Sequence, residues 1–283
     1  MSATGRHIAR IVLLGSALAT GPVQAQLPLT IEELLIERRS LKLQTAFTYS
    51  NSDSPGAAAA GLAAAPSPVR QQQQMRASAV SSRVRYGLRH NLEINASATQ
   101  ARVAWHGAEG SGGDKQYSLA LGANWLVSAD GRTPALMLTA AVDVLETSWL
   151  QPGERYHGRT ARLGAHIYRA IDPVVLSLAV SHEWRLSRDF ASGTLEPGDV
   201  LALRPQVNFA VNHRVTLTGG VSWQRRAGDR FDGATIAGSR HQTGLAMGLG
   251  LLASERSTVF LDSHIATSGD SGARLTLEWL YRF

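Results

Sequence analysis

Two short segments of the chain place histidine beside groups that could support hydrolysis by a serine nucleophile. The first is Ser181, His182 and Glu183, and the second is Asp262 and His264. If both segments are β-strands, Ser181 and His182 point to opposite faces and cannot act together, whereas Asp262 and His264 share a face about 7 Å apart. No nucleophile accompanies Asp262 and His264 in the sequence. We therefore predict no catalytic residue, and an enzyme of the lipase or protease type stays an alternative.

Charged residues recur along the chain at positions that alternate with apolar ones. Because a strand exposes alternate residues to opposite faces, ten of these side chains are expected to line a common polar lumen. They are Arg83, Arg85, Glu93, Asp143, Arg162, Glu183, Arg204, Asp262, His264 and Glu278. Arginine prevails, and rings of arginine favour anions, so a mild anion preference is a hypothesis. The alternative is that these groups pair with one another and fill the interior.

The segments that carry these charges have apolar residues at every second position. Val84, Tyr86 and Leu88, for example, alternate with Arg83 and Arg85. From residue 41 onward we count about twelve such segments, several of them near the ~9–11 residues that a tilted membrane strand needs. The pattern predicts β-strands with one apolar and one polar face.

The connections between these segments alternate between short and long. The short ones are residues 89–91, 128–133, 170–173, 212–213 and 254–258, and the long ones are residues 51–75, 104–115, 146–157, 186–199, 226–239 and 268–273. Outer-membrane barrels have short periplasmic turns and long external loops. We therefore predict an all-β fold over residues 40–283, a transmembrane antiparallel up-and-down barrel of about twelve strands. The Ala- and Gln-rich loop 51–75 either lies outside or folds inward.

The C-terminal segment, residues 275–283 (LTLEWLYRF), shows the alternation most clearly. Leu275, Leu277, Trp279, Tyr281 and Phe283 fall on one side of a strand. The segment resembles the C-terminal assembly signal of bacterial outer-membrane barrels, which implies the barrel-assembly machinery and membrane lipid as partners. In a closed barrel its neighbour should be the first strand, residues 41–49.

The N-terminal segment predicts export followed by a short helix. Residues 1–25 combine Arg6 and Arg10, a short apolar run and a small-residue cleavage site, so they are expected to form a signal peptide. Residues 26–39 are expected to be a helical segment in which Thr30 and Glu33 form a capping box. This segment is either a periplasmic extension or a plug inside the lumen, and the candidate plug residues are Ile31, Glu33, Leu34, Leu35 and Arg38.

The composition of the 283-residue chain excludes several other classes of protein. No later apolar stretch approaches the ~20 residues of a transmembrane helix. The chain has no cysteine and a net charge of +6, but its arginines are dispersed, so no disulfide framework and no nucleic-acid partner are predicted. The sequence contains neither a metal-spaced cluster nor a phosphate-binding glycine loop, so no metal and no cofactor are expected.

Three segments carry a resemblance to known families. VRYGLRHNLEI (residues 84–94) resembles outer-membrane channels of the meta-pathway phenol-degradation-like family. AIDPVVLSLAVS (residues 170–181) and LEPGDVLALRPQVNFAVNHRVTLTGGVSWQ (residues 195–224) are similar to the barrel of channels that secrete functional amyloid subunits. The resemblance implies a twelve-stranded barrel, in some members with an N-terminal plug. The chain lacks the long coiled coil of the amyloid exporters.

Together these features predict a channel of the bacterial outer membrane. It would allow passive transport or export of a small solute or an unfolded peptide. A non-conducting structural barrel is a further alternative. The sequence identifies neither the transported substrate nor the oligomeric state.

Overall fold

The computed structural model describes residues 28–32, 34, 37–52, 74–107, 110–147, 155–269 and 271–283. The predicted signal peptide and most of the loop predicted at 51–75 lie outside the described residues, so both stay predictions. Within the described part of the chain, no helix is long and apolar enough to cross a membrane.

The elements of the structure are one short helix and a long series of strands. The helix α1 spans Leu29–Glu32. The strands are β1 (Leu41–Ser52), β2 (Gln74–Arg89), β3 (Leu92–Gly107), β4 (Gly110–Ser128), β5 (Ala135–Thr147), β6 (Arg155–Tyr156), β7 (Thr160–Ile171), β8 (Val174–Arg185), β9 (Arg188–Phe190), β10 (Gly193–Glu196), β11 (Val200–Asn212), β12 (Val215–Arg226), β13 (Asp229–Phe231), β14 (Ala234–Ala237), β15 (Arg240–Ser254), β16 (Ser257–Ser268) and β17 (Gly272–Arg282).

Twelve of these strands close into one antiparallel barrel. The order around the barrel is β1, β2, β3, β4, β5, β7, β8, β11, β12, β15, β16 and β17, and β17 pairs with β1. Each strand therefore lies beside the preceding barrel strand of the sequence. The predicted all-β, up-and-down barrel of twelve strands is confirmed.

The seam of the barrel lies between β1 and β17. Their register runs from Lys42 opposite Arg282 to Ser52 opposite Gly272. The amide of Phe283 adds a hydrogen bond to the carbonyl oxygen of Leu41, with an N–O distance of 3.1 Å. The predicted pairing of the first and last strands is confirmed. Because every edge is paired, the barrel has no free strand to template aggregation.

The outer face of the barrel is apolar. Side chains such as Phe47, Leu121, Leu163, Leu249 and Leu277 are 42–51% exposed, whereas Arg162 and Glu278 on two of the same strands point inward. A large exposed apolar band of this kind is stable in contact with lipid rather than water. Aromatic side chains lie near the strand ends of this band, as in membrane-interface girdles: Tyr86, Trp125, Trp184 and Trp279.

Three of the predicted loops contain strands that the sequence did not indicate. Residues 104–115, predicted as a loop, belong to β3 and β4, which stay paired up to Gly107 and Gly110. The predicted loops 186–199 and 226–239 each contain a hairpin, and together β9, β10, β13 and β14 form a four-stranded sheet at the long-loop end. Backbone pairing beyond the membrane needs no apolar alternation, so the side-chain pattern alone could not detect these strands.

The predicted N-terminal helix is shorter than expected over the described residues. Only the four residues of α1 are helical there, and Thr30 lies inside α1 rather than at its N-cap, so the expected capping role of Thr30 was wrong. The Thr30 hydroxyl instead donates to Oδ1 of Asn208 on β11, at 3.0 Å. The barrel wall, rather than a capping box, satisfies this hydroxyl.

Candidate functional site in the barrel lumen

The described part of the N-terminal segment, residues 28–32 and 34, lies inside the barrel near the end that carries the short turns. Leu29 is 3% exposed and packs with Phe260 and Leu280, which point inward from β16 and β17. Its backbone amide donates to the Thr216 hydroxyl of β12 at 2.8 Å. An apolar side chain with so little exposure gains stability by being removed from the water of the lumen.

Ile31, two residues further on, contacts a different part of the wall. It is 1% exposed and packs in a cluster with Ala135, Tyr168 and Val175 of β5, β7 and β8. The strands β11, β12 and β15 lie between β8, which carries Val175, and β16, which carries Phe260, and Thr216 of β12 also binds Leu29. The segment therefore contacts two sectors of the inner wall.

The structure places the candidate plug residues differently from one another. Ile31 is buried in the wall cluster, and Leu34 is partly buried against the same cluster. Arg38 is exposed in the turn before β1, and Glu33 and Leu35 lie outside the described residues. Leu29 was not predicted, because the expectation of a long helix favoured residues at helical spacing, whereas Leu29 and Ile31 are two residues apart.

Two groups of ion pairs lie inside the wall at different heights. Near the short turns, Nε of Arg85 and Nδ2 of Asn124 both donate to Oε1 of Glu93, at 2.8 and 2.7 Å. Arg85 and Glu93 are both almost fully buried. The pair links β2 and β3, and Asn124 extends it to β4, so it fixes the lumenal face of three neighbouring strands.

The second group of ion pairs lies closer to the long loops. Arg162 of β7 contacts Asp143 of β5 at 2.8 Å and Glu183 of β8 at 2.6 Å. Glu183 also accepts a hydrogen bond from Nε of Arg185 at 2.5 Å. These side chains neutralise one another within the lumen, as the alternative interpretation of the charged residues predicts for part of the set.

The four-stranded sheet of β9, β10, β13 and β14, called the loop sheet, is attached to the barrel close to this second group of ion pairs. Arg188 of β9 forms hydrogen bonds to both carboxylate oxygens of Glu146 on β5, at 3.1 and 2.8 Å, and both side chains are buried. The sheet has its own apolar cluster, formed by Phe190 and Leu195 with Phe231 and Ile236. These contacts hold the sheet against the long-loop end of the barrel.

Between the N-terminal segment and the long-loop end of the barrel, the lumen contains a polar cavity of about 320 Å³. The cavity lies in the sector from β11 to β17. Its charged lining residues are Arg204, Asp262, His264 and Arg274. Gly244 and Gly248 of β15 provide the space for two of these side chains. A Cβ atom at Gly244 would overlap the His264 ring, and one at Gly248 would overlap Oδ1 of Asp262. These two glycines thus have a local packing role in the lumen.

The structure brings a serine to His264 that the sequence did not reveal. The Ser222 hydroxyl of β12 lies 2.5 Å from Nε2 of His264. Ser222 precedes His264 by 42 residues and reaches it across β15, so only the strand register places them together. In the described part of the chain, no carboxylate lies within ion-pair distance of His264. A serine nucleophile needs a base that is itself oriented by a third group. The described contacts therefore position the imidazole in the cavity without forming a triad.

All ten predicted pore-lining residues lie on barrel strands in the inward phase. Five of them form ion pairs with one another: Arg85, Glu93, Asp143, Arg162 and Glu183. Arg204, Asp262 and His264 line the cavity, whereas Arg83 and Glu278 lie elsewhere on the inner face. Arg274 and Ser222 were missed as candidate site residues. Within the described ranges, no group of three or more histidine, aspartate or glutamate side chains could hold a metal ion.

Known structures resemble the chain in fold. An outer-membrane channel from Pseudomonas putida F1 superposes with a TM-score of 0.68 at 12% identity, over 93% of this chain and 99% of that one. The transport unit of the autotransporter AIDA-I from Escherichia coli gives a TM-score of 0.55 at 11% identity, over 87% and 91% of the two chains. The beta domain of the Bordetella autotransporter Brka gives 0.54 at 10% identity, over 87% and 100%.

Sequence comparisons give no closer relationship: no protein-family model matches the chain, and no curated protein is significantly similar to it. The fold and its apolar outer face are those of a bacterial outer-membrane β-barrel. The expected resemblance to outer-membrane transport barrels is confirmed at the level of the fold. The outer membrane is also the location that the sequence predicts.

Proposed function

We propose that the protein is an outer-membrane channel for passive transport or export of a small solute or an unfolded peptide. We further propose that residues 28–34 close its lumen at rest. The observation that carries the proposal is the burial of Leu29 and Ile31 against separate sectors of the inner wall. A barrel whose interior serves only as a packed core has no need of a separate segment to fill it.

The interior of the barrel also supports a transport role. A polar cavity lies on the long-loop side of the plug segment, and its lining combines charged and hydrogen-bonding side chains. A solute that enters from the long-loop end would reach this cavity before it meets the plug. The structure with the TM-score of 0.68 is named as an outer-membrane channel, which agrees with the proposal.

The attachment of the plug segment is small, which suits a closure that opens. In the described part of the segment, the contacts to the wall include those of Leu29, Thr30, Ile31 and Leu34, and Pro28 is also buried. Fully burying one leucine or isoleucine contributes about 1.5–3 kcal/mol. Loss of both apolar anchors would therefore move a resting population from mostly closed to mostly open.

Single-channel recording of the refolded protein in planar bilayers tests the proposal. We expect the double variant Leu29→Ser with Ile31→Ser to show a higher open probability than the unmodified protein, because it loses both apolar anchors. Leu251→Ser is the matched control, since Leu251 is 45% exposed on the outer face near the same end and points away from the lumen. Its conductance should not change.

Heat-modifiable migration on gels confirms that each variant still forms the barrel. If neither the unmodified protein nor the double variant conducts while the barrel is retained, the channel function is wrong. If both conduct equally, the barrel is a channel and the plug assignment is wrong.

A further inference from the structure

Arg204 and Arg274 line the same lumenal cavity without a counter-ion. Within the part of the chain that the structure describes, neither side chain forms an ion pair or a hydrogen bond, and Nε of Arg274 is buried with no partner. The arginines of the two ion-pair groups differ in having carboxylate partners, although Nη1 of Arg185 is also buried without a partner. Arg85 and Arg162, for example, are held by carboxylates. A buried guanidinium donor without a protein acceptor is costly, and an anion in the cavity would supply an acceptor.

The two guanidinium groups are close enough to interact electrostatically. Arg204 acts on Arg274, and both act on His264, so the cavity concentrates positive charge on one side. Like charges in a partly desolvated site repel one another, and an anion between them relieves this repulsion. Guanidinium groups also match the planar geometry of a carboxylate, which they can bind through two parallel hydrogen bonds.

The remaining cavity wall defines the size and chemistry of the ligand. About 320 Å³ of space is at the lower end of the range for small-molecule sites. Gln206, Thr218 and Thr276 add amide and hydroxyl groups around the arginines. Asp262 lies two residues from His264 on β16, towards the short-turn end, and its carboxylate repels an anion there. An anion would therefore be held at the arginine side of the cavity.

We propose that Arg204 and Arg274 form a binding subsite for the carboxylate of a small organic anion. This subsite would define the class of substrate that the channel carries, so the proposal rests on the proposed function. Ser222 holds the His264 ring at the edge of the subsite, and Gly244 leaves the space that the ring occupies. The subsite lies on the long-loop side of the plug segment, where an entering solute would be retained before passage.

Isothermal titration calorimetry of the refolded protein in detergent at low ionic strength tests the subsite, with sodium butyrate as the probe. We expect saturable binding of butyrate and no binding of its neutral isostere butyramide. The double variant Arg204→Gln with Arg274→Gln should bind butyrate at least roughly tenfold more weakly, because charge-assisted hydrogen bonds are lost. The matched control is Arg83→Gln, which removes a lumenal arginine of β2 outside the cavity and should leave affinity within about twofold.

Three results would overturn the subsite: no binding of butyrate, equal binding of butyramide, or unchanged affinity in the double variant with the barrel retained. Conductance is measured separately on the same preparations. A protein that conducts but binds no butyrate keeps the channel function and loses the subsite. A protein that binds butyrate through these arginines but never conducts keeps the subsite and loses the channel function.

Discussion

Arg162 and Asp143 are joined by two hydrogen bonds inside the barrel, from Nη1 to Oδ1 at 2.8 Å and from Nη2 to Oδ2 at 3.1 Å. The remaining Nε of Arg162 donates to Oε2 of Glu183 at 2.6 Å. One guanidinium thus bridges two carboxylates on the strands at either side of its own. Bidentate pairing of this kind gives both energy and a fixed geometry.

Replacing Arg162 by alanine should destabilise the barrel by roughly 3 kcal/mol, the lower end of the range for removing one partner of a buried pair. The lower end is chosen because the Arg162 side chain is 29% exposed, whereas Asp143 is 3% exposed. The cause is that the buried Asp143 would lose its cation, while Glu183 would keep only its contact with Arg185. Urea unfolding of the refolded protein in vesicles, followed by tryptophan fluorescence, measures the change.

Arg256→Ala is the matched control for this variant. Arg256 is exposed in the turn between β15 and β16, so its loss should change the free energy of unfolding by less than about 0.5 kcal/mol. An Arg162→Ala protein as stable as this control would show that the two carboxylates find other partners or take up protons at little cost.

The barrel itself could be predicted because each strand repeats the same physical requirement. Val84 and Tyr86 face outward while Arg85 faces inward, and a one-residue error in phase would place Arg85 in lipid. This constraint ends where the wall leaves the membrane. The sequence therefore indicated the paired strands near Tyr86 but not the continuation of β3 and β4 beyond residue 104 or the hairpins of the loop sheet.

The site was less predictable because its residues come together through the register of non-neighbouring strands. Ser222 and His264 meet only because β15 places a glycine, Gly244, between them. Leu29 was missed for another reason, since its partners Phe260 and Leu280 are more than two hundred residues away. Periodicity reports which face a side chain occupies, but it does not report which other inward side chain it touches.

Substitution of Gly244 by alanine should destabilise the protein by about 1–3 kcal/mol, since the new methyl group would overlap the His264 ring. The ring would have to leave Ser222, so we also expect weaker butyrate binding at the proposed subsite. Gly219→Ala is the matched control, because a Cβ atom at Gly219 has no neighbour within 4 Å. Equal stabilities of the two variants in urea unfolding would show that His264 moves aside at no cost.

A charge on the outer face should distinguish the two sides of the barrel wall. Leu121 of β4 is 49% exposed on the outer face, and Ser97 faces the lumen on the adjoining strand β3, where its neighbour Ala96 pairs with Leu121. Leu121→Arg should destabilise the protein by about 2–4 kcal/mol, the cost of arginine near the bilayer midplane. Ser97→Arg adds the same side chain at nearly the same depth, but its guanidinium would reach the polar interior, so we expect less than half of that loss.

Urea unfolding from lipid vesicles compares these two variants, because a detergent micelle would conceal the dependence on depth. The difference between them should grow in lipids with longer acyl chains, which place position 121 further from the headgroups. If Ser97→Arg is as destabilising as Leu121→Arg in every lipid, the inner face at this height is packed and dry, and the polar lumen between the plug segment and the loop sheet would not extend to this side of the barrel.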